Sequence, residues 1–354
     1  MPKGGFVSGN SANVTPSPRY IAFCPMTMYV NSVGTVTYNS ATSTSASTDT
    51  ANDWISGFSS FSWLVAGTAI KMRASTTMPT GVSATTTYYA GKPTADRLRF
   101  YLAKADALAG NGNYVDITAA GSGTFTVYPA YAKDWSGQGN DMLIGNSLAD
   151  TSAYVTVPYF SGTSSGSNDT VAARLSSSAL SSRWSWPTNS LIVAARVKAI
   201  AAVTAGRSFF GNGQTAPAQQ GPRISVDSTT TTSMNLQFFH AGGTISCGTS
   251  AAAVFETGTE HHFVLLLDGP MRQATVWIDG RRDLTLNQVS LAAATTVTVN
   301  ADLRFGGASA TNAQASSWRD IHVLSLTGSA PSNMDAIAAL LSSSPMYRLR
   351  STDI

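Results

Sequence analysis

The sequence predicts an all-β protein: an N-terminal arm, a small β domain, then a larger β-sandwich closed by one short helix. Three observations carry this. Short β-branched or aromatic runs recur along the chain, each followed by Gly, Ser, Asn or Pro, the spacing of strands and turns in sandwiches and barrels. No long amphipathic helix interrupts them before the last segment. Strict alternation in Ala274-Thr-Val-Trp-Ile278 leads into Asp279-Gly280, a type I′ hairpin signal because that turn needs positive φ at both central residues.

The elements follow in order. Residues 1–24 are rich in Gly, Ser and Pro without a period and read as an extended arm. Residues 25–129 form the first β domain, with strands expected at 35–38, 69–72 and 124–128 and a Ser/Thr-rich flexible loop at 39–50. Residues 130–354 form the larger domain, with strands at 191–197, 263–267 and 274–278. In the last of these, Val276 and Ile278 are expected on one face and Thr275 and Trp277 on the other. Pro331-Ser-Asn333 then announces a helix over 334–341, with Asn333 or Ser332 as N-cap. Its apolar Met334, Ile337, Ala338 and Leu341 share a face suited to packing on a sheet.

Composition narrows the function classes. At 354 residues the chain is long enough for two domains, and 43% hydrophobic residues supply ordinary cores. Charged residues are only 12%, about half the usual share, so the surface is polar but weakly charged. The net charge of +3 is too small and scattered to imply a nucleic-acid or membrane partner, and no nucleic acid is expected. The start MPKGGFVSGN has no apolar run behind Lys3, so no signal peptide is expected, nor any membrane insertion. Cys24 and Cys247 read as free, buried or half-buried thiols, fitting synthesis in a reducing host cytoplasm.

From Asp134 onward the chain resembles the concanavalin-A-like, laminin-G-like superfamily. The phrases that carry the likeness are Asp134-Trp-Ser-Gly-Gln-Gly-Asn-Asp141, His261-His-Phe-Val-Leu-Leu-Leu-Asp268, Gln273-Ala-Thr-Val-Trp-Ile-Asp-Gly-Arg281, Leu303-Arg-Phe-Gly-Gly307 and Trp318-Arg-Asp-Ile-His-Val-Leu324. They occur in the order typical of that superfamily, over roughly 130–345, and imply a jelly-roll β-sandwich. Residues 67–128 resemble a small module of phage head and tail proteins. Its phrases are Met78-Pro-Thr-Gly81, Tyr88-Tyr89, Arg97-Leu-Arg-Phe-Tyr-Leu102, Val115-Asp-Ile-Thr-Ala-Ala-Gly121 and Gly123-Thr-Phe-Thr-Val127. Ala90-Gly91-Lys92 departs from that module, which more often continues as an apolar strand. Together the resemblances imply the exterior of a bacteriophage virion: a capsid decoration (cement or head-fibre) protein, or alternatively a tail-fibre or baseplate receptor binder.

A glycan hydrolase or a free lectin is the competing class. Glycanases of the sandwich superfamily place two glutamates bracketing an aspartate on one strand. Here Glu256 and Glu260 are the only glutamates, no Asp lies between them, and Gly258 predicts a turn. His261 and His262 alternate to opposite faces, His240 and His322 sit in strands, and all four read as structural. No catalytic residue is assigned, and no cofactor other than calcium. Relatives in the superfamily hold calcium at the sandwich rim; the candidate ligands are Asp134, Asn140 and Asp141, with Asp227 or Asn312 farther along, and loop-closing hydrogen bonds as the plainer role.

Sugar sites pair exposed aromatics with hydrogen-bonding side chains. The candidate glycan contacts are therefore Trp184, Trp186, Arg207, Asn212, Trp318 and Arg319, against which stands the usual burial of tryptophan. Apolar Phe6, Val7, Tyr20, Ile21 and Phe23 are the expected contacts of the arm with other virion proteins or with a second copy in a homo-oligomer, a trimer by the habit of such parts. Host-surface glycan is the expected partner of the sandwich.

Overall fold

In the computed structural model, the residues described are 20–24, 29–30, 36–37, 41–58, 64–84, 86–91, 97–132, 134, 136–144, 160–162, 173–199, 203, 205–212, 218–230, 232–306 and 316–343. The protein is all-β, with antiparallel sheets and a short C-terminal helix.

Two sheets face each other, built from Tyr20–Cys24 and from strands after Pro129. The first runs in the order Tyr20–Cys24, Ser316–Thr327, Asn189–Ala199, Glu260–Asp268, Gln273–Ile278, Arg281–Arg282. The second runs Tyr131–Ala132, Met142–Ile144, Ala173–Leu175, Leu303–Phe305, Ser208–Gly211, Gly221–Val226, Ser233–His240, Gly243–Ala253. Alternation decides which side chains meet between them. From the first sheet come Leu191, Val193, Ala195, Val197, Phe263, Leu265, Leu267, Val276 and Ile278, and from the second Leu303, Phe305, Phe210, Ile224, Leu236 and Phe238. This is a two-layer sandwich core, the standard way for two half-apolar sheets to bury their inner faces.

The first sheet is apolar on its other side as well. Ile192, Ala194, Val264, Leu266, Trp277, Leu324 and Leu326 pack under the helix Met334–Ser343 through Met334, Ile337, Ala338 and Leu341. These are the four helix positions expected from the sequence, and each buried side chain of this size stabilises by about 1.5–3 kcal/mol. The helix is also tied at its first turn: Asp335 accepts from Trp277 Nε1 (2.7 Å) and from Arg282 (2.9–3.0 Å). The Asp279-Gly280 turn has φ of 51° and 78°, the positive values a type I′ hairpin requires.

A separate five-stranded sheet has the order Ala41–Thr44, Thr124–Pro129, Ala69–Ala74, Tyr88–Gly91, Arg99–Tyr101, and its own apolar cluster around Ile70, Met72, Phe100, Phe125 and Val127. Two expectations are corrected here. The Ser/Thr stretch read as a flexible loop contains the edge strand Ala41–Thr44, in register with Thr124–Val127. Its alternating Thr residues suit a pleated edge, and composition alone could not tell that a partner strand was waiting. The end of the expected arm is also a strand: Tyr20–Cys24 pairs with Ser316–Thr327 of the sandwich. Ile21 enters the core between the sheets and Tyr20 the layer under the helix, both fully buried within the chain, so neither is a surface contact for another subunit. Phe23 stands opposite His322 in the same pairing. Phe6 and Val7 lie outside the described residues.

Candidate functional site

The predicted sugar contacts do not form a surface. Trp184, Trp186 and Trp318 are 1%, 5% and 0% exposed. Trp318 packs edge-on against Phe263 and Phe305, and its Nε1 donates to Ser316 Oγ (2.8 Å). Trp186 packs on Phe238 and donates to the Ala294 carbonyl (2.7 Å). The reason is area: an indole is the largest apolar surface in the chain, and the sandwich interior is where it can be covered. These three are core residues, so the usual burial of tryptophan holds and the sugar-contact role offered for them does not.

Arg319 is committed too. Its Nε donates to Glu260 Oε2 at 2.7 Å, and Arg196 reaches Glu260 at 3.5 Å and Asp320 at 3.2 Å. Arg196 also donates to the Ser342 carbonyl at the end of the helix. Asp320 has φ of 52° at an irregularity in the pairing of Asn189–Ala199 with Ser316–Thr327. The extra residue turns this carboxyl among the charges on the outer face of the first sheet. His262 stands opposite Arg196, and His322 opposite Ala194. Burial drives His262 and His322 down to about 3 and Asp320 up to about 7. This is an internal ionic layer beside the helix.

Glu260 is held between two guanidiniums, and Glu256 is exposed in the turn ahead of that strand. His261 bonds Asp279 (2.8 Å), which raises its pKa. Cys247 is buried, its thiol pushed up to about 12 by burial.

The calcium candidates close a loop. Asp134 accepts from the Ser136 and Asn140 amides and from the Ser136 hydroxyl (2.8–2.9 Å), Asp141 accepts from the Asp134 amide (2.8 Å), and Asn140 Nδ2 donates to the Ile21 carbonyl (2.7 Å). The DWSGQGND phrase thus clamps the first strand to the sandwich. Asp227 likewise accepts from Thr229, Thr230 and Thr249, which lowers it to about 2. Among the described residues no group of three or more His, Cys, Asp or Glu is arranged to hold a metal ion. Asn312 lies outside the described residues.

A surface the sequence did not single out emerges on the outer face of the second sheet. Register aligns one row across five adjacent strands: Arg174, Arg304, Gly211, Arg223, Gln237. Their chain neighbours Ala173, Leu175, Leu303, Phe305, Ile224, Leu236 and Phe238 are in the core, so the row faces away from it. Arg223 lies over the Phe239 ring (5.0 Å) and donates to Gln237 Oε1 (3.0 Å from Nε). Arg174 reaches Asp302 at 3.8 Å. Gly211 puts no side chain between Arg304 and Arg223. Asn212, the next residue and a predicted glycan contact, is 1% exposed, and neither atom of its amide has a hydrogen-bond partner. A side chain on Gly221 would occupy the place of that amide, which packs Asn212 against Gly221. Arg207 is half-buried at the start of the same strand, its carbonyl accepting from the Val226 amide (2.7 Å). The signal was available only as scattered single residues; strand pairing brings them into line.

No known protein family matches the chain, and no curated protein resembles it in sequence. Among solved structures it is similar to the binding domain of Paraclostridial Mosquitocidal Protein 1, with 10% identity and a TM-score of 0.43 over 59% of this chain and 48% of that one. The botulinum neurotoxin serotype G binding domain gives 10%, 0.43, 59% and 47% in the same terms. Trypanosoma rangeli sialidase in complex with sialic acid gives 12%, 0.42, 73% and 43%. The chain therefore spans less than half the length of each. Likeness at this level carries no argument about ligand, partner or activity.

Proposed function

We propose that this chain is a structural component of a bacteriophage virion, an outer capsid decoration protein whose sandwich projects outward and binds glycan on the host surface without hydrolysing it. It is made in the host cytoplasm and sits on the particle exterior. The residues ahead of Tyr20, with Phe6 and Val7, and the first β domain attach it to other virion proteins, as a homo-oligomer, a trimer in this reading. The virion assignment is supported by the phrases shared with phage head and tail proteins in 67–128 and with laminin-G-like sandwiches in 130–345.

The observation that carries the binding reading is the outward row Arg174, Arg304, Arg223 and Gln237. It offers guanidinium and amide donors on a rigid sheet, the hydrogen-bonding half of a sugar site. Binding without cleavage is supported by Glu260, whose carboxylate is spent on Arg196 and Arg319.

Location is tested by imaging virions labelled with antibody against residues 130–354. Label over the head is the expected outcome. Label confined to the tail tip transfers the protein to receptor binding, and an unlabelled particle ends the virion reading. Binding is tested by incubating the full chain with host-derived polysaccharide. Retention of polymer length together with saturable binding is expected, and shortening of the polymer would overturn the non-hydrolytic role.

A further inference from the structure

The first β domain carries an arginine–aromatic cluster that takes no part in its apolar core. Ile55, Leu98 and Phe100 enter that core, and Ile55 and Leu98 exchange backbone hydrogen bonds of 3.0 and 2.9 Å. Alternation therefore turns Trp54, Arg97 and Arg99 to the opposite face. Trp54 is half-buried there, whereas the other described tryptophans, Trp184, Trp186, Trp277 and Trp318, are at most 5% exposed. The Arg97 guanidinium lies 4.1 Å from the centre of the Trp54 ring. The Arg99 guanidinium lies 4.2 Å over Tyr114 and 5.1 Å over Trp54, and its Nε and Nη2 donate to the Asn52 carbonyl (3.1 and 2.9 Å). Tyr114 in turn meets the buried Tyr101 ring edge-on.

Rings and a carbonyl, not carboxylates, hold these guanidiniums. Among the described residues no carboxylate lies within ion-pair distance of Arg97 or Arg99. Asp49 is within electrostatic reach of Arg97, but its oxygens accept from the amides of Ala51 and Asn52 and from Asn52 Nδ2 (2.8–3.1 Å). A guanidinium stacked on a ring keeps its charge and leaves its N–H edges for hydrogen bonding, and that fork matches a planar carboxylate. Stacking also fixes the side chain before a partner arrives, so little freedom is lost on docking. A ring face that carries a guanidinium is closed to a sugar ring or a nucleobase, which would need it for stacking. Clustered Trp, Tyr and Arg side chains are the kind that dominate binding energy between proteins.

We propose that Trp54, Arg97, Arg99 and Tyr114 form the attachment surface of the first β domain, and that its partner is a carboxylate-bearing segment of another virion protein. The proposal rests on the reading of that domain as the one that attaches the chain, and goes further by naming the residues and the partner's chemistry.

The experiment measures binding of the full-length chain to a labelled peptide of alternating Glu and Ser, to its Gln counterpart and to oligogalacturonate of matched charge, by fluorescence anisotropy. The Glu peptide should bind at least about tenfold more tightly than the Gln peptide, a difference of about 1.4 kcal/mol. That preference should shrink between about 0.05 M and about 0.5 M NaCl, as screening of half-exposed charge requires. Arg97→Gln should remove most of it, whereas Lys104→Gln, which removes a positive charge elsewhere on the same domain, should leave it in place. Arg99→Lys, which keeps the charge and loses the fork, is the second variant should Arg97→Gln not fold, and it should weaken the Glu peptide as well. Equal affinity for the two peptides, or a preference untouched by either arginine variant in folded protein, overturns the surface. Oligogalacturonate binding more tightly than the Glu peptide, with that binding lost in Arg97→Gln, overturns the protein partner in favour of an acidic glycan. On virions, label over the head should fall when the chain carries Arg97→Gln. Equal label overturns this surface and leaves attachment by the first domain standing, while particles unlabelled with the unmodified chain overturn attachment and the proposal with it.

Discussion

The two outward faces of the sandwich solve the same problem in opposite ways. Each sheet must cover its inner side with its partner, and each then has a second side to dispose of. The first sheet buries that side under the helix Met334–Ser343 and balances its charges internally: Arg196 and Arg319 against Glu260 and Asp320, with two neutral histidines. The second sheet carries Arg174, Arg304 and Arg223 in one row across its strands, with Asp302 3.8 Å from Arg174. A paired, covered face is structure. The difference teaches that residue type says little here: arginine appears on both faces, and the partner decides its role.

Substitutions that test the contrast begin on the covered face. Trp277→Ala should cost about 4 kcal/mol, because it empties the layer under the helix and releases the Asp335 tie. Thermal unfolding would measure it, and a loss under about 1 kcal/mol would mean the helix does not depend on this side chain. Glu260→Gln should cost about 3 kcal/mol by leaving Arg196 and Arg319 buried against a neutral group. Urea unfolding is the check, and near-neutrality would show the ion layer to be dispensable.

The ionic layer also sets a pH dependence. His262 and His322, held near 3 in the folded protein, bind protons in the unfolded chain below about 6.5, so they withdraw stability as pH falls from about 6.5 toward 3. Asp320, raised to about 7, works the other way: its contribution is full below about 3.8 and is lost as pH rises through 7. Two histidines outweigh one aspartate across the window from about 3.8 to about 6.5, so stability from this layer should peak near pH 6.5. Asp320→Asn keeps a residue that tolerates positive φ and should steepen the fall on the acid side. A melt series showing no steepening would break the assignment.

The smallest effect is expected on the arginine row of the second sheet. Arg223→Gln should change stability by less than about 0.5 kcal/mol, since the lost contact with Phe239 is offset by removing a half-desolvated charge. A loss as large as that of Glu260→Gln would make the two faces alike and end the distinction drawn between them.

Much of the architecture was legible from local pattern. The strand at 189–199, the alternation of Val276 and Ile278 against Trp277, the Asp279-Gly280 turn and the four buried helix positions follow from period and turn chemistry, which are local properties. The arm's last residues misled because Tyr20–Cys24 finds its partner some 300 residues away, against Ile321–Leu324, and no local window contains that pairing. The Ser/Thr edge strand at 41–44 misled for the same reason. The tryptophans, offered as sugar contacts against the usual burial of that residue, are covered by the two sheets.

By itself, then, the sequence determined the β class, the period of its strands and the face of its one helix, because these depend on residues a few positions apart. Which arginines stand side by side was decided only by the tertiary structure. Arg174, Arg223 and Arg304 are spread over 130 positions and become neighbours only when strand register sets them side by side. Register is a property of paired strands, fixed by which faces the two sheets bury together, and no single strand carries it.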